Sequence, residues 1–346
     1  MGVMLNPKDV QEAVKLAPYT TMRIGGPVDY LVPVRERDDV QEACEFANRE
    51  QLPVFVLGEG SNVVVNDAPV HRLVLKMEIR GLEKVADTKE AVTIRVGGGE
   101  HWDSVVERTV KLGLSGIEAM SMIPGTAGAA PVQNAGAYGQ EIADTLVELE
   151  AYDMKTGRFV TLARDECDFG YRTSRFRTDD AGRFVITSIT LRLAKKVQAR
   201  PTYESLKRYL DEHKIESPSV EQIREGVTAV RARILPDPSV VPNSGSFFKS
   251  PIVSAAKLAQ IEKKYHKVPS YRHGDQYKIA AGWIVEQCGF KGSEHFGLKV
   301  WDNHALVITN PDGAGYRELM KLVDMIAKAA REKFGITLEP EPLFIS

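Results

Sequence analysis

The sequence predicts a protein of mixed strands and helices that folds in two or three lobes. Its 346 residues exceed the size at which one hydrophobic core keeps growing, so several packed lobes are expected. A strand-helix-strand pattern covers residues 28–57, further strand signals run to residue 193, and the pattern becomes mainly helical from about residue 200. A cleft between lobes is therefore available for a ligand.

The first lobe combines strands with one amphipathic helix. A Gly-Gly-Pro turn precedes an apolar strand over 28–34, Asp38 is a candidate cap for the helix, and residues 53–57 form a second short strand. This β-α-β unit ends at the glycine-rich segment 58–62, and an apolar run over 63–65 follows.

A second lobe is predicted to start near residue 79. Strands are indicated at 91–96, 146–152 and 184–193, with a helix over 103–112. The segment 123–139 contains four glycines, two prolines and almost no charge. Such a composition suits backbone packed closely against a flat or bulky group, because a solvent loop would be more polar.

The remainder of the chain is predicted to form a third, mainly helical lobe. Helices are indicated at 220–233, 254–266, 280–288 and 316–334.

Composition narrows the class of protein. The apolar share of 43% and the charged share of 27% are those of an ordinary globular chain. Forty-five basic against 47 acidic residues argue against nucleic acid as a partner. Cys44, Cys167 and Cys288 show neither disulfide nor zinc spacing, the seven histidines show no metal-binding spacing, and no apolar run approaches the ~20 residues of a membrane span. We expect a cytoplasmic protein without a metal site and without a membrane partner.

The segment Gly58-Glu59-Gly60-Ser61-Asn62 is a candidate phosphate loop. Without bulky side chains, its backbone N–H groups can converge on phosphate oxygens. A tight turn between strands explains the same segment equally well. The Rossmann fingerprint is absent, since Val63 stands where a third glycine is required.

Two further segments are ambiguous on residue types alone. Residues 169–176 place Arg172 between aromatic residues, which suits either an anion site or, more simply, a surface strand with a structural ion pair. Residues 243–249 are either a serine-rich turn before two core phenylalanines or a hydroxyl held rigidly by them. The serine elbow of hydrolases is absent here.

Taken in order, seven segments resemble the UDP-N-acetylenolpyruvoylglucosamine reductase family, also called UDP-N-acetylmuramate dehydrogenase, in its longer form with a substrate-covering tyrosine. The resemblance spans nearly the whole chain. The segments are 19–27, 57–62, 123–139, 169–176, 243–249, 278–283 and 338–341.

This resemblance implies an α+β fold of the vanillyl-alcohol-oxidase type (PCMH-type). Two FAD-binding lobes would comprise residues 1–78 and 79–200, the second joined by residues 337–346. A substrate-binding α+β domain would comprise residues 201–336.

The resemblance also implies noncovalent FAD, with NADPH as the hydride donor and a UDP-sugar enolpyruvyl ether as substrate in peptidoglycan precursor synthesis. No obligate protein partner is implied. The implied FAD-binding residues are Arg23, Gly58, Gly60, Ser61, Asn62, Pro124, Gly125, Thr126, Gly136 and Ala137.

Three residues match the family's catalytic set. In the family, hydride passes from flavin N5 to the substrate and a serine then donates a proton. Ser246 matches that serine, and Arg172 and Glu341 match the other two catalytic residues. A guanidinium suits the substrate carboxylate and the charge that develops beside it. Tyr203, Tyr271 and Lys278 match substrate-binding positions.

The chain departs from the family pattern in its third lobe. Ile234, Ser250 and His304 stand where the family often has lysine, asparagine and glutamine. Loss of that lysine removes a phosphate contact, so either Arg231 or Arg233 compensates or the nucleotide site is rearranged.

Two other classes of protein fit parts of the pattern. Another FAD-dependent oxidoreductase of the same fold would keep the cofactor loops without needing Arg172, Ser246 and Glu341 together. A nonenzymatic nucleotide-sugar-binding protein would account for the phosphate loop but not for a proton donor beside an arginine.

Overall fold

The structure is a computed structural model that describes residues 9–197 and 199–346. Its helices are α1 (Arg37–Arg49), α2 (Trp102–Lys111), α3 (Ile142–Thr145), α4 (Glu204–Glu212), α5 (Val220–Ile234), α6 (Ala255–Glu262), α7 (Ala281–Gln287) and α8 (Tyr316–Phe334). Its strands are β1 (Gln11–Lys15), β2 (Pro27–Val34), β3 (Val54–Leu57), β4 (Val63–Val65), β5 (Val70–Met77), β6 (Leu82–Asp87), β7 (Ala91–Gly97), β8 (Gly136–Ala137), β9 (Gln140–Glu141), β10 (Leu146–Asp153), β11 (Arg158–Ala163), β12 (Phe184–Ala194), β13 (Asn243–Ser246), β14 (Ile252–Ser254), β15 (Ser270–His273), β16 (Gln276–Ile279), β17 (Glu294–His295), β18 (Leu298–Val300), β19 (Val307–Thr309) and β20 (Leu343–Ile345).

The described chain forms two compact units. Unit 1 comprises residues 9–14, 28–59 and 71–232, and unit 2 comprises residues 15–27, 60–70 and 233–346. The division by function, with boundaries after residues 78, 200 and 336, stays a prediction.

One sheet of unit 1 has the strand order β1-β2-β5-β3, and β3 runs parallel to β5. Helix α1 buries Val40, Ala43 and Phe46 in the core cluster that includes Leu73 and Leu75 of β5. The spacing of these buried residues gives the helix one apolar face towards the sheet.

The start of α1 corrects one sequence expectation. Glu36, and not Asp38, is the N-cap residue. The Asp39 carboxylate accepts a hydrogen bond from the Glu36 backbone N–H at 3.0 Å. This arrangement is a capping box, in which the side chain at the third helical position satisfies the cap.

The second sheet of unit 1 is antiparallel, with the order β11-β10-β12-β7-β6. Helix α2 shares a core cluster with Ile94 of β7 and Leu191 of β12. Trp102, at the start of α2, is almost fully buried and donates its indole N–H to the Met120 carbonyl at 3.1 Å. A separate small core holds α4 and α5, through residues such as Leu206 and Val227.

Unit 2 has more strands than its sequence pattern indicates. It holds sheets of order β13-β19-β18-β17 and β14-β16-β15, and β20 pairs with β4 in parallel. The expectation of a mainly helical region was therefore incomplete. These strands have two to four residues, too few to establish an alternating pattern.

The longest helix agrees with its sequence pattern. Helix α8 has the predicted bounds and ends at Gly335, whose φ of 61° is the left-handed conformation common after helices. Helix α6 is shorter than predicted and starts after Ser254, whose hydroxyl accepts from the Lys257 N–H at 3.2 Å.

Within the described residues, no helix has the length and apolar character that a membrane crossing requires. Cys44, Cys167 and Cys288 are all unpaired thiols. Burial raises the pKa of both the Cys44 and the Cys167 thiol to about 12. These two side chains are therefore protonated and act as small core residues.

Candidate active site

In unit 1, two glycine-containing loops lie side by side. A Cβ atom added to Gly58 would lie 2.6 Å from Thr126 Oγ1, so only glycine fits there without a shift of Thr126. The Glu59 carboxylate accepts a hydrogen bond from the Gly125 N–H at 2.5 Å. Lys76 Nζ donates to the Gly58 carbonyl. The structure thus brings together residues that are about 65 positions apart in the chain and that sequence analysis assigned to the same cofactor.

The segment 123–139 is compact and largely buried. Its third residue, Gly125, has a φ of 120°, and a 3-10 helix follows over Ala127–Gln133. The Gly128 N–H donates to the Gly98 carbonyl at 2.8 Å, and a Cβ atom on Gly128 would lie 3.0 Å from the Gly98 backbone. The expected close backbone packing is present, and it involves another glycine of unit 1.

Arg172 lies beside the end of this segment. Its Nη2 donates to the Gly136 carbonyl at 3.0 Å, and its φ of 52° is unusual for a residue with a side chain. Arg175 of the same segment makes a structural ion pair, since its guanidinium lies 2.5 Å from the Asp180 carboxylate. The two arginines therefore have different environments.

Two more residues lie near Arg172: Tyr138, which sequence analysis missed as a site residue, and Arg231, which it considered only as a replacement for the absent lysine. The Arg231 guanidinium interacts electrostatically with the Tyr138 hydroxyl and with the Arg172 guanidinium. Burial lowers the pKa of the Arg231 guanidinium and raises that of the Tyr138 hydroxyl. The Tyr138 ring meets the Tyr203 ring edge to face, with 5.1 Å between centroids.

The Arg231 guanidinium combines one hydrogen bond to the backbone with one buried donor that has no partner among the described residues. Its Nη2 donates to the Met122 carbonyl at 3.1 Å, and its buried Nε has no hydrogen-bond partner among the described residues. Met122 is fixed in turn by Asp103, which accepts from the Met122 N–H at 2.6 Å and pairs with Arg224 at 2.7 Å. Burial would raise the pKa of the Asp103 carboxyl, but these two hydrogen-bond donors hold it below its usual value.

In unit 2, the residues Arg23, Gly60, Ser61 and Asn62 lie in two neighbouring segments. The Thr21 N–H donates to the Gly60 carbonyl at 3.1 Å. Gly60 has a φ of 67°, and a Cβ atom there would lie 2.2 Å from the Tyr19 carbonyl. Arg23 has a φ of 55° and donates to the Ser239 carbonyl at 2.8 Å.

Ser246 and Glu341 lie on adjacent backbone segments of unit 2. Ser246 ends β13 opposite Val307 of β19. The Glu341 N–H donates to the Phe247 carbonyl at 2.8 Å. Phe247 and Phe248 are almost fully buried, so the half-buried Ser246 precedes a rigid anchor. Residues 243–246 form a short strand and not the serine-rich turn considered above, and the two phenylalanines that follow lie in the core as expected.

The predicted substrate residues fall into two sets. Tyr271 of β15 and Lys278 of β16 are directly opposite each other in an antiparallel pair, and the Tyr271 side chain is exposed. Tyr203 belongs to unit 1, where it contacts Tyr138.

The three positions that depart from the family pattern have ordinary structural roles in unit 2. The Ser250 hydroxyl accepts from the Ala281 N–H at 3.3 Å, at the start of α7. His304 Nδ1 accepts from the Leu306 N–H at 3.3 Å. Ile234 is the last residue of α5.

These residues fit a dinucleotide cofactor. Glycines stand where a Cβ atom would collide with neighbouring backbone or side chain, at Gly58 and Gly60, so the loops expose main chain rather than side chains. A buried donor without a partner, Arg231 Nε, lies in unit 1 near the loop that contains Gly125. Neutral backbone donors with guanidinium groups are the chemistry that a flavin and its pyrophosphate require. Among the residues described, no cluster of His, Cys, Asp and Glu could hold a metal ion.

Comparison with known proteins agrees with this assignment. Residues 28–163 match the FAD binding domain model, and residues 237–345 match the model of the UDP-N-acetylenolpyruvoylglucosamine reductase C-terminal domain. A solved structure of 6-hydroxy-D-nicotine oxidase from Arthrobacter nicotinovorans aligns with a TM-score of 0.52 at 13% identity, covering 97% of this chain and 88% of that chain. The protein is thus an FAD-binding oxidoreductase with the vanillyl-alcohol-oxidase-like α+β fold, as predicted.

Relatives of full length define the family within this class. The UDP-N-acetylenolpyruvoylglucosamine reductase of Ralstonia nicotianae is 41% identical over 95% of this chain and 97% of its own. That of Pseudomonas aeruginosa is 36% identical over 96% of this chain and 98% of its own. A crystal structure of the reductase from Thermus caldophilus aligns with a TM-score of 0.65 at 25% identity, covering 96% and 98% of the two chains. The chain belongs to the UDP-N-acetylenolpyruvoylglucosamine reductase family.

Proposed function

We propose that this protein reduces UDP-N-acetylglucosamine enolpyruvate to UDP-N-acetylmuramate in peptidoglycan precursor synthesis, with bound FAD and with NADPH as the hydride donor. The observation that carries the proposal is that one chain joins the FAD binding domain to the C-terminal domain of this reductase family. An oxidase that merely shares the fold has no need of the second domain. Relatives that match the chain from end to end support the same reaction.

FAD, when bound, supplies the hydride chemistry that connects NADPH with the enolpyruvyl double bond. We propose that the cofactor contacts come from the residues that the family pattern indicates: Gly58, Pro124, Gly125, Thr126, Gly136 and Ala137, and also Arg23, Gly60, Ser61 and Asn62. The support for this set is local. Gly58 lies against Thr126, and Gly60 lies against Tyr19. A side chain at position 58 would displace the Thr126 side chain, and one at position 60 would collide with the Tyr19 backbone.

Arg172 is proposed to hold the substrate carboxylate and the negative charge that develops next to it. The bond from its Nη2 to the Gly136 carbonyl sets the plane of the guanidinium. A planar guanidinium in a fixed orientation binds a carboxylate through two parallel hydrogen bonds. Arg231 adds a second positive charge near Arg172, and two neighbouring guanidinium groups favour an anion between or beside them.

Ser246 is proposed to deliver the proton. Reduction of the double bond adds a hydride to one carbon and a proton to the other, and the protein must supply that proton. A serine hydroxyl is a weak acid, so this role requires a strongly basic carbon as acceptor. Glu341, on the segment bonded to Phe247, is proposed to orient the site beside Ser246.

Tyr271, Lys278 and Tyr203 are proposed to bind the nucleotide sugar. Tyr271 and Lys278 are cross-strand partners, so an ammonium group and an aromatic ring lie within reach of one ligand. That pairing suits a diphosphate next to a uracil ring. Tyr203 is half exposed beside Tyr138, so its ring is accessible to a ligand.

We place this activity in the cytoplasm, since all three cysteines are free thiols, as is usual in a reducing compartment. Near-balanced charge supports small-molecule partners and argues against a nucleic acid partner. No membrane or obligate protein partner is proposed.

A spectrophotometric titration tests the whole proposal. We expect a yellow protein that releases free FAD on denaturation, loses its visible absorption when NADPH is added without oxygen, and recovers it when the enolpyruvyl substrate follows. If NADPH bleaches the protein but only oxygen restores the colour, the protein is a different oxidoreductase of this fold. A colourless protein that binds the nucleotide sugar would be a binding protein.

A further inference from the structure

Glu59 is an acidic side chain in the middle of a loop that is proposed to hold a pyrophosphate. A carboxylate near phosphate groups is unfavourable by charge alone. Its presence between Gly58 and Gly60 therefore needs another explanation, and the contacts of its two oxygens provide one.

Both oxygens of Glu59 bind other parts of unit 1. Oε2 accepts from the Gly125 N–H at 2.5 Å, and Oε1 contacts His101 Nδ1. Gly125 belongs to the second cofactor loop, and Thr126 beside it contacts Gly58. The Glu59 side chain is thus a bridge from one cofactor loop to the other.

The contacts of His101 favour one ring tautomer. Arg80 Nη2 lies 3.3 Å from His101 Nε2, and a guanidinium is always a donor. In the tautomer that suits both neighbours, Nε2 accepts from Arg80 and Nδ1 donates to Glu59. The chain of contacts runs from Arg80 through His101 and Glu59 to Gly125, and each carboxylate oxygen receives a donor.

We propose that Glu59 is a positioning residue for FAD: its carboxylate holds the Gly125 backbone in the orientation that the cofactor requires. This inference rests on the proposed function, in which Gly58 and Gly125 contact FAD. FAD binding should then depend on the length of the Glu59 side chain and on its acceptor oxygens. The negative charge of the carboxylate should not strengthen FAD binding.

Three substitutions separate reach from charge. Glu59→Ala removes the bridge, Glu59→Asp keeps the charge but shortens the side chain, and Glu59→Gln keeps the length and an acceptor oxygen for Gly125. Glu166→Ala is a matched control. It removes a carboxylate that accepts from the Ala163 N–H at 2.8 Å in unit 1, outside the cofactor loops.

The measurement is the dissociation constant of FAD, obtained from the fluorescence of the flavin released as each purified holoenzyme is diluted. We expect Glu59→Ala and Glu59→Asp to weaken FAD binding by about tenfold, near the upper end of the usual effect of losing a hydrogen bond. Glu59→Gln should stay within about threefold of the wild type, since the bond from the Gly125 N–H is kept. The bond from His101 is lost, because a ring that accepts at Nδ1 would turn an N–H towards Arg80. Glu166→Ala should bind FAD as the wild type does.

Two results would overturn the inference. One is unchanged or tighter binding in Glu59→Ala, which would make charge repulsion the main effect of this residue. The other is wild-type binding in Glu59→Asp together with weaker binding in Glu59→Gln, which would make the charge essential. A wild-type protein that holds no FAD would instead refute the proposed function. If Glu59→Ala does not fold, the comparison of Glu59→Asp with Glu59→Gln still shows whether FAD binding depends on the length or on the charge of the side chain.

Discussion

Replacing Ser246 with alanine should slow one half of the reaction and leave the other unchanged. The substitution removes a single oxygen atom from a rigid segment. The Phe247 N–H donates to the Leu306 carbonyl, and the Glu341 N–H donates to the Phe247 carbonyl, both at 2.8 Å. Because the Phe247 side chain that follows is fully buried, the backbone should keep its position in the variant.

The size of the effect follows from the role of the hydroxyl. A positioned proton donor typically accelerates a reaction by about 10²- to 10⁴-fold. Ser246 is only half-buried, so water can partly replace its hydroxyl in the variant. We therefore expect a loss of about 10²- to 10³-fold, equivalent to roughly 3–4 kcal/mol of activation free energy.

The assay is rapid-mixing absorption of the flavin in two separate steps. Bleaching by NADPH should have the wild-type rate in Ser246→Ala, and recovery of colour with the enolpyruvyl substrate should be slow. Ser244→Ala is the matched control, since it removes a hydroxyl from the same strand that has no hydrogen-bond partner among the described residues. Full-speed recovery in Ser246→Ala, or equal slowing of both steps, would refute the assignment of the proton donor.

Three further predictions concern Arg172, Gly60 and Asp153. Arg172→Lys should slow recovery of colour with substrate by about 10- to 100-fold while NADPH bleaching is unchanged, because an ammonium cannot reproduce the planar two-bond contact with a carboxylate; equal rates would contradict this. Gly60→Ala should destabilise the protein by about 2–4 kcal/mol in urea unfolding, because its φ of 67° and the Tyr19 carbonyl at 2.2 Å leave no room for a methyl group; unchanged stability would show that the backbone relaxes freely. The hydrogen bond from Arg183 lowers the pKa of the Asp153 carboxyl from 3.8 to about 2, so this stabilisation is complete above pH 4 and is lost as the pH falls towards 2; Asp153→Asn should flatten the melting temperature across that interval, and an unchanged pH profile would contradict the ion pair's role.

The parts of the fold that the sequence predicted are long or strongly periodic. Helix α8 and strands β10 and β12 lie within one residue of their predicted bounds. In these elements, many residues repeat the same burial pattern, so an error at one position does not change the assignment. The position of the cap of α1 depended on one side chain, and there Asp38 was the wrong choice.

The short strands of unit 2 lay beyond sequence reasoning. Strands β15 and β16 have four residues each, and no alternation can be established over that length. Their pairing nevertheless places Tyr271 opposite Lys278. The relation between these two predicted substrate residues is a property of register, which depends on the folded hairpin and its neighbours.

The site was predictable as a set of loops but not as a set of contacts. The glycines of residues 58–62 and 123–139 marked places where backbone packs closely, because glycine has a specific steric meaning. The residue types of Glu59, Tyr138 and Arg231 have no comparable steric meaning, so the sequence did not indicate their contacts. Their importance comes from partners distant in the chain, such as Gly125 for Glu59 and Met122 for Arg231.

Two arginines, Arg231 and Arg233, were considered as replacements for the lysine absent at Ile234, and the structure favours Arg231. Residues three apart on a helix lie on the same face, one turn from each other, so Arg231 and not Arg233 shares the face of position 234 on α5. Arg231 is already anchored to Met122 and placed near Arg172. We infer that the positive charge of this helix face is retained at Arg231, one turn from position 234. Substrate binding would then depend on Arg231 more than on Arg233.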